Sequence, residues 1–184
     1  MFHDLVKKVT AEIGFVLDTV SEKQVTELVH GILNANKIVV YGAGRVGMAC
    51  KGFSMRLGHL GRTSFTLGDS TVPSIGKGDL LLLSSGSGET QTVYDIAGLG
   101  KKNGARVTLI TSRPDSTIGK LADSIVTLKA PTKIGPIEGL KSIQPMATLY
   151  EQCLQVFFDT VVLLLMEETR QDHDDLWARH SNLE

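Results

Sequence analysis

Two short glycine-containing segments hold the residues best suited to chemistry in this chain of 184 residues. The first, residues 42–47 with the sequence GAGRVG, has the G-x-G-x-x-G form that brings a phosphorylated ligand close to the backbone at a helix N-terminus. Asp69 follows Gly47 by 22 residues, near the spacing of the ribose-binding acid in a dinucleotide fold. Taken alone, the segment predicts a dinucleotide site, a simpler phosphate site, or glycines needed only for turn geometry and close packing.

The second segment, residues 84–90 with the sequence SSGSGET, is rich in hydroxyl groups. A phosphate monoester accepts hydrogen bonds from hydroxyls and backbone N–H groups, and a helix dipole favours its negative charge. A dinucleotide fold has no need of so many hydroxyls, and a helix N-cap needs only one. We therefore predict phosphate binding. The candidate substrate-binding residues of the two segments are Gly42, Gly44, Arg45, Ser85, Ser87 and Thr90.

Alternating strand-like and helical stretches place both segments at one edge of a sheet. Residues 1–36 show two helical repeats of apolar residues, the second beginning at a capping-box pattern from Ser21 to Gln24. Five apolar runs typical of buried parallel strands follow, at residues 37–41, 63–67, 79–84, 106–111 and 124–128. Helical stretches between them occupy residues 46–60, 90–103 and 116–122. The pattern predicts an α/β fold with an open, doubly wound, parallel sheet, whose ligands bind beyond the carboxyl ends of the strands.

The remainder of the chain is predicted to form a loop, a long helix and a tail. The loop, residues 129–143, contains Pro131, Gly135, Pro136 and Gly139. The helix runs from about residue 145 to residue 168 and is apolar on most sides, which indicates a core or subunit-interface position. The charged tail, residues 171–184, carries His173, Trp177 and His180.

The composition excludes several classes of function. Nineteen basic residues against 20 acidic ones leave no electrostatic footprint for nucleic acid or an anionic membrane. An aromatic content of 5% disfavours an aromatic carbohydrate cleft or a base-stacking platform. The N-terminus lacks the pattern of a signal peptide, and the most apolar run, residues 156–166, is too short to span a bilayer. The expected location is the cytoplasm.

Cysteine and histidine spacings give no indication of a metal site. Cys50 and Cys153 are too few and too far apart for a disulfide framework or a metal knuckle, and we predict buried thiols. His3, His30 and His173 likewise have no spacing typical of metal ligands, so we interpret them as ordinary helix or surface residues.

Several stretches of the sequence resemble one known family. The G-x-G segment after the first strand and the S-x-S-G-x-T segment after the third resemble the sugar isomerase (SIS) domain. Within that group, the 6-phospho-3-hexuloisomerases are similar to the stretches YGAGRVG, MRLGHLG, IGKGDLL, SIQPM, YEQ and RHSNLE, which begin at residues 41, 55, 75, 142, 150 and 179. The resemblance covers nearly the whole chain. Val46 departs from it, because a serine with a ligand-facing hydroxyl is expected at that position.

The resemblance implies a single flavodoxin-like SIS domain over residues 1–184, with N-terminal helices at 1–36, a five-stranded sheet core at 37–130, and the long helix and tail at 144–184. It implies interconversion of D-arabino-hex-3-ulose 6-phosphate and D-fructose 6-phosphate through an enediol(ate), as in the ribulose monophosphate pathway of formaldehyde fixation. No metal or organic cofactor is implied. The implied partners are a phosphorylated ketohexose, further copies of the chain in a homotetramer, and a hexulose-phosphate synthase as a functional pair.

The reaction needs a group that carries a proton between neighbouring carbons, and three residues are candidates. Glu151, near the start of the long helix and included in the resemblance, is the first; the alternative is a solvent-facing polar stripe of Glu151, Gln155 and Asp159. His180 is the second, if the tail docks into its own or a neighbouring subunit's site rather than remaining an exposed terminus. His59 is the third, with packing at a helix C-terminus as its alternative role.

Arg45 lies in the first loop, where a cation can hold substrate oxygens or stabilise an enediolate. Two other functions stay open at this point. One is a non-catalytic regulatory module that binds a sugar phosphate. The lack of an attached DNA-binding segment argues against it. The other is a dinucleotide-dependent enzyme, against which the chain lacks a substrate domain. Binding without turnover would favour the first, and titration with NAD or NADP would test the second.

Overall fold

The chain folds into alternating helices and strands in a computed structural model that describes residues 1–133, 135, 137 and 140–183. The helices are α1 (Phe2–Leu17), α2 (Glu22–Asn34), α3 (Arg45–His59), α4 (Gln91–Lys102), α5 (Thr148–Thr169) and α6 (His173–Trp177). The strands are β1 (Ile38–Gly42), β2 (Ser64–Thr66), β3 (Leu80–Ser84), β4 (Arg106–Thr111) and β5 (Ser124–Thr127). A 3₁₀ helix, Gly119–Leu121, replaces the short helix predicted over residues 116–122. Pro136 and Gly139 of the predicted loop, and Glu184 of the tail motif, lie outside the described residues.

The five strands form one parallel sheet in the order β2-β1-β3-β4-β5. The centres of β1, β3 and β4 are continuously buried because helices cover both faces of the sheet, so these strands lack the alternation of a half-exposed strand. The predicted doubly wound, five-stranded parallel sheet is confirmed. The strand order reverses between β1 and β3, and ligands of such sheets bind beyond the carboxyl ends of the strands at this point. We call the space beyond the carboxyl ends of β1 and β3 the crevice.

Successive side chains of each strand point to opposite faces of the sheet and so belong to two separate apolar clusters, one on each face. Val40 and Leu82 belong to the larger cluster, which also contains the buried faces of α2, α3 and α5 and Val16 of α1. Val39 and Leu81 belong to the smaller cluster, which α4 completes. The sheet thereby fixes α3 and α4 on opposite faces, with both helices beginning at the same edge.

The long apolar helix begins later than predicted, at Thr148 rather than near Pro145, because Met146 has a left-handed backbone with φ of 56°. Within the part of the chain that the structure describes, α5 is the one helix whose length and composition would let it cross a membrane. The apolar part of this helix is therefore longer than the run of residues 156–166 identified in the sequence. Half of its most apolar window is buried in the domain, where Phe158 stacks on Phe53 of α3 at 4.2 Å between ring centroids. Core packing accounts for the apolar residues on the buried half of α5, whereas Val156 and Leu163 are exposed.

Helix α2 begins at Glu22, as predicted, but the predicted capping box is wrong. Ser21 occupies the N-cap position without a side-chain cap hydrogen bond. Gln24, its expected partner, instead accepts a hydrogen bond at Oε1 from the backbone N–H of Thr127 at 3.0 Å. This contact joins α2 to the end of β5, so a tertiary partner takes the side chain that the local motif would have used.

Candidate active site

The two glycine-containing segments meet at the point where the strand order reverses. Gly42, the last residue of β1, lies opposite Ser84, the last residue of β3. Residues 42–47 lead into α3 and residues 84–90 into α4, so both helices present their N-termini to one crevice. Backbone N–H groups and the positive ends of two helix dipoles therefore converge where an anion can bind.

The glycines of the first segment serve packing and backbone geometry in different ways. A Cβ atom on Gly47 would lie 2.4 Å from the carbonyl oxygen of Gly42, and one on Gly42 would lie 2.7 Å from Cγ1 of Val46. Gly44 has φ of +61°, and a Cβ atom there would meet nothing within 4 Å. Close packing thus accounts for Gly42 and Gly47 without a ligand, whereas the open space beside Gly44 leaves room for one. Val46, in place of the expected serine, packs against the core.

An ion pair connects the first segment to the start of the long helix. Nη1 of Arg45 lies 2.8 Å from Oε2 of Glu151 and donates a weaker hydrogen bond to the Thr148 hydroxyl at 3.4 Å. A cation in the first turn of α3 opposes the helix dipole, and the Glu151 carboxylate offsets this cost. Glu151 is only 17% exposed, whereas Gln155 and Asp159 are exposed and hydrogen-bond to each other at 3.1 Å. Glu151 is therefore distinct from the solvent-facing stripe.

The hydroxyls of the second segment hold its turn closed. Ser85 Oγ accepts a hydrogen bond from the Gly88 N–H at 3.2 Å and shares another with the Thr90 hydroxyl at 3.1 Å. Ser87 Oγ accepts from the Glu89 N–H at 3.2 Å. Both serines are buried. The turn is therefore ordered by its own side chains before any ligand arrives.

The same turn also has hydrogen-bond donors that lack an acceptor among the described residues and are therefore available to a ligand. Among residues 1–133, 135, 137 and 140–183, none accepts a hydrogen bond from the backbone N–H groups of Gly86, Ser87 or Thr90. Within that same part of the chain the Ser87 hydroxyl accepts a hydrogen bond but donates none. These donors surround the N-terminus of α4, so the turn can satisfy several oxygens of one phosphate group.

Tyr150, for which the sequence indicated no role, connects the helix turn that carries the Glu151 carboxylate to the hydroxyl-rich turn at residues 84–90. Its hydroxyl donates to the carbonyl of Ile110 at 2.9 Å and shares a hydrogen bond with Ser84 at 2.9 Å. Burial raises the pKa of this hydroxyl, which therefore stays neutral. Its ring supports Gly86, where a Cβ atom would lie 3.0 Å from Tyr150 Cδ1. A tyrosine on the buried face of an apolar helix was the available signal, because its hydroxyl needs a partner.

Replacing Tyr150 by phenylalanine is expected to lower the free energy of unfolding by about 1–2 kcal/mol, because two buried hydrogen bonds are lost. Urea unfolding followed by circular dichroism measures the change. Tyr41→Phe is the matched control, since the Tyr41 hydroxyl makes no hydrogen bond to the described residues. Equal unfolding curves for Tyr150→Phe and the wild type would show that these hydrogen bonds contribute no net stability.

The two predicted catalytic histidines lie together in a second place. The rings of His59, at the end of α3, and His180, in the tail, are 5.2 Å apart between centroids, and Trp177 is 4.9 Å from His180. These residues line a cleft of about 270 Å³. Arg179 docks the tail onto the chain's own α3 by donating from Nη1 to the His59 carbonyl at 3.1 Å. His180 donates from Nδ1 to the Ser181 carbonyl at 3.0 Å, which leaves Nε2 for proton transfer.

The histidine cleft is remote from the ion pair within one chain. Helix α3 begins with Arg45 at the carboxyl edge of the sheet and ends with His59 about 21 Å further along its axis, at about 1.5 Å per residue. The structure therefore brings Arg45, Glu151 and the hydroxyl-rich turn together, and separately brings His59 and His180 together. It does not place the two groups in one cleft of a single chain.

The two cysteines are buried free thiols, as predicted. Burial raises the pKa of Cys50 to about 12 and that of Cys153 to about 12. Both thiols stay protonated near neutral pH, so neither is suited to act as a nucleophile. In the described part of the chain, no three His, Cys, Asp or Glu side chains are grouped to hold a metal ion.

Known proteins similar to this chain include sugar-phosphate isomerases. The SIS domain family model matches residues 31–156, a region that includes both glycine-containing segments, His59 and Glu151 but not His180. The 3-hexulose-6-phosphate isomerase of Bacillus subtilis is 38% identical over 165 residues, which cover 90% of this chain and 89% of that protein. The 3-hexulose-6-phosphate isomerase of Mycobacterium gastri is 39% identical, with coverage of 94% and 86%.

A solved structure extends the similarity to the whole fold. It is the crystal structure of a Methanococcus jannaschii protein for which the function of 3-hexulose-6-phosphate isomerase was inferred. That protein is 30% identical to this chain, and the two superpose with a TM-score of 0.86 over 98% of this chain and 99% of the other.

Proposed function

The chain belongs to the SIS domain family and, within it, to the 3-hexulose-6-phosphate isomerases, and we propose that its crevice interconverts D-arabino-hex-3-ulose 6-phosphate and D-fructose 6-phosphate. One observation carries the proposal. The first turn of α5 pairs the Glu151 carboxylate with Arg45 and, through the adjacent Tyr150, contacts the hydroxyl-rich turn at Ser84. A proton carrier and an anion site are thus held by the same turn of helix.

The hydroxyl-rich turn binds the phosphate in this proposal. The N–H groups of Gly86, Ser87 and Thr90 and the hydroxyl of Ser87 donate to its oxygens. Ser85 and Thr90 add one further hydroxyl donor between them, because the proton of the other hydroxyl is used in the hydrogen bond that the two share. Gly44 leaves space for the sugar beside the backbone of the first segment, next to Gly42. Holding the unreactive end of the substrate in this way places C2 and C3 at a fixed distance from the catalytic groups.

Glu151 transfers the proton between the two carbons. Its carboxylate removes the C2 proton of the 3-ketose, the C2–H electron pair forms the C2–C3 double bond, and O3 receives the electrons of the carbonyl. The 2,3-enediolate then takes the same proton at C3 while the O2 proton passes to O3, so the carbonyl appears at C2. Arg45, 2.8 Å from the carboxylate, compensates the negative charge that develops on the substrate oxygens.

The histidine cleft completes the crevice of a neighbouring subunit in this proposal. An imidazole is suited to move a proton between O2 and O3 near neutral pH, and His180 presents Nε2 for it, with His59 beside the ring. Within one chain, the length of α3 separates these histidines from Glu151. This distance supports a site in which the histidines come from a neighbouring subunit.

Exposed apolar side chains support assembly into a homo-oligomer, because a monomer rarely leaves such surfaces in water. They lie on α1, α3 and α5 and include Phe2, Leu5, Phe15, Met48, Met55 and Leu163. We propose the homotetramer that the family resemblance implies, acting in the cytoplasm beside a hexulose-phosphate synthase in formaldehyde assimilation.

The proposed function is tested by incubating the purified chain with the 3-ketose 6-phosphate and measuring fructose 6-phosphate in a coupled assay. Turnover is expected in the presence of EDTA, because the proposed mechanism uses only side chains and backbone groups. A folded protein that binds sugar phosphates in a thermal-shift screen without turnover would favour a regulatory module instead.

Replacing Ser87 by alanine is expected to raise KM about tenfold or more, because a hydrogen bond to a charged phosphate oxygen is lost. The melting temperature should change little, since Ser87 contributes one hydrogen bond to the fold. Steady-state kinetics and thermal unfolding measure both quantities. Ser74→Ala, at an exposed loop serine, is the control. A wild-type KM in the Ser87 variant would contradict phosphate binding by this hydroxyl.

A further inference from the structure

Helix α1 contributes one carboxylate to the segment that leads into α5. Glu12 accepts hydrogen bonds from the Ser142 hydroxyl at 2.7 Å, the Ile143 backbone N–H at 2.8 Å and the Gln144 side-chain amide at 3.0 Å. Ser142 Oγ in turn accepts from the Gln144 N–H at 3.0 Å. Three consecutive residues are therefore held by a single side chain that lies 130 residues away in sequence.

The carboxylate form of Glu12 is the form suited to this contact. Burial alone would raise the pKa of Glu12, but the hydrogen bonds from Ile143, Ser142 and Gln144 outweigh it and lower the pKa below the ordinary value. All three partners are donors, so an ionised carboxylate satisfies them and a side-chain amide cannot.

The held segment continues directly into the turn that carries the candidate base. After Gln144 and Pro145, Met146 has φ of 56°, an unfavourable backbone conformation for a residue with a side chain. The Met146 side chain is 91% exposed and gains little from packing, so the surrounding chain must stabilise this conformation. Glu12 fixes the chain before Met146, and the first turn of α5 fixes it afterwards, where the Glu151 N–H donates to the Ala147 carbonyl at 3.1 Å.

We propose that Glu12 is a positioning residue of the isomerase: its carboxylate holds residues 142–144 and thereby sets the first turn of α5, which presents Glu151 to Arg45. The proposal rests on the function proposed above. Glu12 does not touch the hydroxyl-rich turn at residues 84–90, which is joined to β3 and α4. Loss of the Glu12 contact should therefore disturb proton transfer more than phosphate binding.

Glu12→Gln keeps the size of the side chain but gives the three donors a partner that is itself partly a donor. We expect kcat to fall about ten- to a hundredfold, because small displacements of a catalytic group are costly, with KM within about twofold of the wild type. Ser142→Ala removes one of the three donors and should lower kcat less. The double variant should match Glu12→Gln, since both changes act on one contact. Asp18→Asn, an exposed carboxylate on the C-cap residue of α1, is the control.

Hydrogen–deuterium exchange gives a readout that does not depend on turnover. In Glu12→Gln, the amides of residues 142–151 should exchange faster, while those of residues 84–93 should exchange as in the wild type. Unchanged exchange over residues 142–151, or equal proportional losses in kcat and in folded protein, would overturn the positioning role. A wild-type protein without turnover would overturn the proposed function, and the exchange measurement would still decide whether Glu12 holds the segment.

Discussion

Replacing Glu151 by glutamine is expected to lower kcat about a hundred- to ten-thousandfold, the usual contribution of a general base. The amide has nearly the shape of the carboxylate but cannot accept the C2 proton, so the first chemical step is lost. Arg45 keeps an oxygen partner at the same position, and folding should be retained. Coupled assay of fructose 6-phosphate measures the rate, and loss of C2 deuterium from labelled substrate measures the proton-removal step by itself.

Asp159→Asn, two turns further along α5, is the matched control, because it removes one negative charge from the same helix but does not remove the candidate base. Asp159 is exposed and interacts only with Gln155 among the described residues, so Asp159→Asn should leave kcat unaltered. Turnover within a fewfold of the wild type in Glu151→Gln would place the base elsewhere. Loss of C2 deuterium at the wild-type rate would do the same, even if a later step had become slow.

Mixed oligomers should recover activity that neither parent variant has. If Glu151 of one subunit and His180 of another form each site, Glu151→Gln and His180→Ala subunits together restore complete sites. Random pairing in a symmetric assembly makes about a quarter of the sites intact. Co-expression of the two chains with different tags, followed by tandem purification, provides the mixed assembly. Its specific activity should exceed that of either variant many times over.

The control for the tail uses its other histidine. His173 accepts a hydrogen bond from the Trp177 indole at 2.6 Å, and His173→Ala perturbs the same cleft without removing the proposed proton carrier. Its activity should stay well above that of His180→Ala. Mixed assemblies no more active than the parents, while both variants remain folded and oligomeric, would exclude a site shared between subunits.

Much of the fold was predictable because it depends on patterns that are local in sequence. Strands buried on both faces require continuous apolar runs, and β3 (LLLLS) has one that predicted its position within one residue. The turn at residues 84–90 was recognisable in the same way, because its glycine and hydroxyl residues are adjacent in sequence and lie directly between β3 and α4. Predictions were poorer where a tertiary contact competes with a local motif. Gln24 accepts a hydrogen bond from Thr127 at the end of β5 rather than capping its own helix, and the left-handed backbone of Met146 makes α5 begin later than predicted.

The sequence by itself determined the order of the elements, the parallel sheet and the edge of the sheet at which the two glycine-containing segments lie, since burial and turn formation act along each element. Only the tertiary structure decided which side chains become partners. Arg45 and Glu151 are more than a hundred residues apart, and no local pattern records that α3 and α5 pack on the same face of the sheet. Likewise, only the length of α3 showed that His59 lies far from Glu151 in one chain. Side-chain pairing depends on how distant elements pack, which a pattern confined to one element does not contain.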